Sequence, residues 1–157
     1  MNLFHTRLLK HENGNFAIAF GNRSLSVHPS VVQRYRNLEQ YCQQPLIAGL
    51  RPEAFGLADA NSMVDDQIQV DVLSREALGH EHLIYTRAPI SIIQDDDNSA
   101  RSSRDLTDCS NQQNSSLLIA RVSSSHAIHP DTSVNLTVDM SQLYLFTADG
   151  QSIDLKL

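Results

Sequence analysis

His80 and His82 stand one residue apart, and alternate side chains of an extended strand share a face. Such a pair would aim two imidazoles to one side, the beginning of a divalent-metal site. No third ligand is identifiable, and the run from Leu78 through Gly79 to His80 reads first as a turn with partly exposed histidines. Asp95, Asp96, Asp97 and Asn98 concentrate carboxylates. A calcium loop of the EF-hand kind needs glycine at its sixth position and glutamate at its twelfth, where Ala100 and Leu106 stand instead, so the run reads as a solvated acidic loop. His126 and His129 precede Pro130 and Asp131 in a polar stretch and read as turn residues. Cys42 and Cys109 belong to no C-x-x-C motif and have no histidine at ligand spacing, which suits reduced thiols in a cytosolic chain.

The missing motifs narrow the chemistry further. A phosphate-binding loop needs G-x-x-x-x-G-K-[ST], whose glycine amides wrap the phosphates while its lysine reaches the outer ones. Lys10 and Lys156 are the only lysines, and leucine precedes each. No Leu-Ser-Gly-Gly-Gln, G-x-S-x-G or H-E-x-x-H occurs, so ATP hydrolysis, serine-hydrolase and zinc-protease chemistry are not expected. The expectation is a chain that is not an enzyme, with no catalytic residue, metal or cofactor of its own.

The elements that carry these residues read as short strands. Leu3 to Leu9 is followed by the hairpin dipeptide Asn13-Gly14, then by Phe16 to Phe20 and Ser24 to Val27. Pro29 opens a helix whose apolar stripe runs through Val31, Tyr35, Leu38 and Cys42, a lid on a β-core. Leu46 to Leu50 stops at Arg51-Pro52, because proline supplies no backbone donor. Gln67 to Val72 alternates polar and apolar, and Leu83 to Thr86 is its partner. Leu117 to Val122, Val134 to Met140 and a last hairpin through Asp149-Gly150 complete the series. Residues 94–116 carry too little apolar surface to fold alone and read as a polar, mobile insertion. No internal repeat is legible. The fold class expected is mainly β: a small OB-type antiparallel barrel with one short helix, in a single domain spanning 1–157.

Composition agrees. Of 157 residues, 41% are hydrophobic but only 6% aromatic, so the core rests on Val, Ile and Leu. With 12 basic against 18 acidic residues the net charge is -6, which opposes a nucleic-acid partner. Nothing approaches the apolar length of a spanning helix, and His5 and Arg7 interrupt the first residues too early for a signal peptide.

Several segments occur in a fixed order: Gly49-Leu50-Arg51-Pro52-Glu53, then Leu78-Gly79-His80-Glu81-His82-Leu83-Ile84-Tyr85, Leu118-Ile119-Ala120-Arg121-Val122, and Leu143-Tyr144-Leu145-Phe146 ahead of Asp149-Gly150. Together they resemble the C-terminal regulatory domain, an OB-type (TOBE-like) barrel, of the ATP-binding subunit of maltose-type carbohydrate importers. Met1-Asn2-Leu3 resembles the junction with which that domain begins. The resemblance implies Gly49, Arg51, Pro52, Glu53 and Gly79 as fold-defining residues. It implies as partners the nucleotide-binding domain of the same subunit, which would hold ATP and Mg, a second copy, the membrane subunits indirectly and a regulatory protein. It also implies a place on the cytoplasmic face of the membrane. Two alternatives stand beside it. Molybdate and tungstate importers carry a similar small barrel that binds oxyanions, for which Ser123, Ser124 and Ser125 offer donors. A freestanding OB-fold nucleic-acid binder would use Tyr85, Tyr144 and Phe146 for stacking.

Overall fold

The computed structural model describes residues 1–91, 116–123 and 127–153. Its strands are β1 (Asn2–Lys10), β2 (Phe16–Phe20), β3 (Arg23–Ser26), β4 (Pro45–Leu50), β5 (Phe55–Leu57), β6 (Gln67–Ala77), β7 (Glu81–Ala88), β8 (Ser116–Ser123), β9 (Ser133–Val138) and β10 (Tyr144–Thr147), with one α-helix, α1 (Pro29–Arg34). Alternation sets their faces: β1 buries Asn2, Phe4, Thr6 and Leu8 while exposing His5 and Arg7. The expected class, a mainly β molecule of small OB-type antiparallel barrel, is the class observed, with one α-helix among the described residues.

The strands form two five-stranded antiparallel sheets, ordered β10-β4-β1-β2-β3 and β5-β9-β6-β7-β8. Each is a three-strand meander whose first strand pairs on its other side with a fourth strand, and the fourth with a fifth. The correspondence extends to register. Gly49 lies between Leu3 and Tyr144, and its counterpart Thr137 lies between Gln67 and Gly56. A 3-10 turn follows each fourth strand, Pro52–Ala54 after β4 and Met140–Gln142 after β9. The chain is therefore an internal repeat, contrary to the sequence reading, with its fifth strands exchanged. After β4 the chain crosses to supply β5 to the second sheet, and after β9 it returns to supply β10 to the first.

The two sheets close differently. In the second, β5 lies back against β8, giving a near-closed barrel. In the first, α1 fills the corresponding opening. Arg34 donates to the carbonyls of Leu143 (3.0 Å) and Ser141 (3.1 Å), and the Tyr35 hydroxyl accepts the Leu145 N–H at 2.9 Å. These anchors also explain why the helix ends early. The apolar stripe predicted one helix through Cys42, but Tyr35 is extended at φ -99, Asn37 is left-handed at φ 50, and Leu38–Tyr41 resumes only as a 3-10 turn. Tertiary hydrogen bonds to β10 override local periodicity there.

A continuous core joins both sheets, from Phe4, Leu8, Ile18 and Phe20 to Ile68, Val72, Ile84, Leu118 and Leu136. Asn2 ties them directly. Its side chain donates to Ile119 O (2.8 Å) and accepts from Ile119 N (2.9 Å), acting as a strand amide toward β8, while also donating to Leu50 O (3.2 Å). Satisfying these backbone groups at a buried junction avoids a penalty of about 1–3 kcal/mol for each group left unpaired. The connection between β7 and β8, where pairing reaches Ala88 and Ser116, corresponds to the Gly21-Asn22 turn of the first meander. The insertion predicted at 94–116 falls in that connection and, apart from Ser116, lies outside the described residues.

Candidate functional site

The residues first considered for chemistry are dispersed. Gly79, at φ +73, and His80 form the two-residue turn between β6 and β7, with Leu78 N–H donating to Glu81 O at 2.8 Å. His80 thus lies outside the strand, whereas His82 lies within it opposite Ala77 and Val122, so the two do not form a strand pair. No cluster of three His, Cys, Asp or Glu residues that could hold a metal occurs among the described residues. Asp95 to Asn98, Cys109, His126, Ser124 and Ser125 lie outside them. Cys42 is half-buried, and burial, with Glu39 nearby, raises its thiol above the ordinary value, which disfavours the reactive thiolate. Ser123 pairs in register with Glu81, whose carboxylate is bonded to Arg121, an unfavourable setting for an anion.

Arg51 to Glu53 sits where the chain crosses from β4 to β5, with Ala54 N–H donating to Arg51 O at 3.0 Å. Arg51 and Glu53 form no charge-assisted hydrogen bond. The groups are 4.0 Å apart and about half-exposed, beyond hydrogen-bond range and open to screening. Gly49 has the side chains of Met1, Leu3 and Phe146 within 3.4 Å of where a β-carbon would stand, so a side chain there would require these neighbours to give by a few tenths of an ångström. Tyr85 lies on β7, whereas Tyr144 and Phe146 lie on β10, so the three aromatics occupy different sheets.

A cleft opens where β1 and β2 part. β1 pairs with β4 from Asn2 to Arg7 but with β2 only from Leu8 to Lys10. Beyond that point the His5 N–H donates to Ser91 O (2.9 Å), and the Thr6 hydroxyl donates to Ala19 O (2.7 Å). The resulting space, about 430 Å³, is lined by His5, Thr6, Arg7, Ala19, Gly21, Pro45, Pro89, Ile90 and Ser91. His5 and Arg7 flank buried Thr6 and are both exposed on one face of β1. Among the described residues no carboxylate lines the cleft. A larger space beside the β1–β2 hairpin, about 720 Å³, contains Glu12 and Lys10, whose ammonium is bonded to Glu39 at 2.5 Å and held above its ordinary pKa by that bond.

A guanidinium and an imidazole side by side, with no competing carboxylate among the described lining residues, suit a small oxyanion, because arginine presents a planar fork of donors to two oxygens at once. Gly21 and Pro89 form the floor. Gly21 is at φ +60, and a β-carbon there would stand 2.2 Å from Pro89 O, so the two segments meet as closely as backbone allows.

No protein-family model matches the sequence, and no curated protein matches it. The fold does have a solved counterpart. Over 93% of this chain and 95% of that one, at TM-score 0.56 and 11% identity, it is similar to the cytoplasmic molybdate-binding protein ModG in a crystal form with molybdate bound. At that identity the likeness defines the class by fold alone: an OB/TOBE-like barrel protein. Among the described residues no helix is long and apolar enough to cross a membrane.

Proposed function

We propose that this chain binds a small tetrahedral oxyanion of the molybdate class, in the cleft between His5 and Arg7. The observation that carries the reading is the pairing of those two side chains, exposed on one face of β1, over a cleft that no carboxylate of the described residues lines, in a chain of net charge -6. The likeness to a molybdate-bound structure supports it by fold. Binding is by charge and hydrogen bonding, with no covalent step and no cofactor. Isothermal titration of the protein with molybdate, sulfate and phosphate tests it. Saturable molybdate binding is expected, with an affinity about tenfold weaker in Arg7→Gln, the scale of one lost charge-assisted contact. Absence of heat and of thermal stabilisation at millimolar molybdate would overturn it.

The order of Gly49-Leu50-Arg51-Pro52-Glu53 and the later segments favours a second reading, the regulatory domain of a sugar importer's ATP-binding subunit. There the nucleotide-binding domain, a second copy and the membrane subunits would be the partners, and the chain would lie at the cytoplasmic face of the membrane. A negative oxyanion titration would leave that reading standing.

A further inference from the structure

The cleft opens on the outer face of the first sheet, and that face lacks the polar character of an ordinary solvated sheet face. Residues directly opposite in an antiparallel pair share a face, so the registers define two rows across β1, β4 and β10. One row runs from His5 through Ile47 to Phe146, the other from Leu3 through Gly49 to Tyr144. Ile47 is only 8% exposed although it lies outside the continuous core, so the side chains that cover it stand on this outer face. Over Gly49 the side chains of Met1, Leu3 and Phe146 converge. Met1 is 58% exposed and Tyr144 38%, so the patch is open to solvent, and neither row contains a carboxylate.

We infer that the oxyanion cleft continues into this patch and takes an organic oxyanion, with its tetrahedral head beside Arg7 and His5 and an aromatic body lying over Ile47 and Phe146. The inference rests on the oxyanion reading of the cleft. His5 belongs to both features, since it lines the cleft and begins the row. Arg7 is exposed on the same face of β1, opposite Pro45, which also lines the cleft, so the charged end of the face is the end that meets the cleft. Charge and apolar surface lie end to end rather than mixed, an arrangement complementary to a molecule with its charge at one end. From β1 to β10 the row spans two strand spacings, about 10 Å, the reach of a two-ring body with its head. A bare inorganic ion fills the cleft and leaves the row uncovered.

The test is isothermal titration of the full chain with methanesulfonate, which offers the head alone, and naphthalenesulfonate, which adds two rings, with far-UV circular dichroism to confirm folding of each variant. In the wild type naphthalenesulfonate should bind about tenfold tighter, which roughly 60 Å² of apolar surface removed from water supplies, and molybdate should displace it. Arg7→Gln should weaken both sulfonates about tenfold, whereas Phe146→Thr should bring naphthalenesulfonate down to the level of methanesulfonate. If Phe146→Thr does not fold, Ile47→Thr, which keeps a β-branched side chain in the strand, serves with the same expected loss. Molybdate binding without a preference for naphthalenesulfonate would overturn the apolar extension and leave the oxyanion cleft standing. A preference that survives Phe146→Thr, or naphthalenesulfonate binding that ignores Arg7→Gln and molybdate, would place the rings elsewhere and overturn the extension equally. No binding of molybdate or of either sulfonate would overturn the oxyanion reading itself, and the extension with it.

Discussion

At the scale of single residues, glycines at positive φ separate conformational cost from steric cost. Gly79 is at φ +73 with open space around it, and Gly21 is at φ +60 with Pro89 O where a β-carbon would stand. Gly79→Ala should cost only the left-handed penalty, about 1 kcal/mol. Gly21→Ala should add overpacking against a backbone that cannot retreat, for a total of about 3 kcal/mol. Urea unfolding of the two variants decides the matter, and equal losses would mean that the Gly21–Pro89 approach is not tight. The sequence made Gly79 conspicuous because it sits in a hairpin between alternating strands. His5 and Arg7 were equally visible, but as residues that break an apolar run. Their value as neighbours on one face appears only once β1 is seen to leave β2, since the gap depends on a partner switch that no local pattern encodes.

At the scale of elements, most strands were legible because each has one buried face and therefore alternates. β6 was read to Val72 but continues to Ala77, where every residue is exposed and alternation carries no signal. β5 was missed because it has three residues, Phe55 to Leu57, and gains its identity only by pairing with β9. The internal repeat was hidden for a related reason. Counterparts such as Phe4 and Ile68, Leu8 and Val72, or Leu50 and Val138 share burial but not identity, because the core asks for apolar volume rather than a given side chain. The helix tests how the first barrel is closed. Tyr35→Phe leaves the N–H of fully buried Leu145 without its acceptor, and should destabilise the protein by about 1–3 kcal/mol in urea unfolding. A change under about 0.5 kcal/mol, the range of ordinary surface substitutions, would show that α1 does not hold β10.

At the scale of the whole molecule, the exchange of β5 and β10 is what creates the cleft region. Each repeat is completed by a strand from the other half, so the ends of β2 and β7 are brought together where Gly21 meets Pro89. The cleft beside that contact is a consequence of that arrangement, and its charge is local, set against an acidic chain. The sequence indicated the barrel class and left an oxyanion binder among the alternatives, on serines that lie beside a carboxylate or outside the described residues. The side chains that form the cleft were not connected to that alternative, because His5 and Ser91 are brought together only by the crossing of the two repeats. Crystals soaked in molybdate and measured across the molybdenum absorption edge test the central claim most directly. An anomalous peak within hydrogen-bond reach of Arg7, in the cleft shared with His5 and Ser91, is the predicted result; peaks confined to other surfaces, or none, would contradict it.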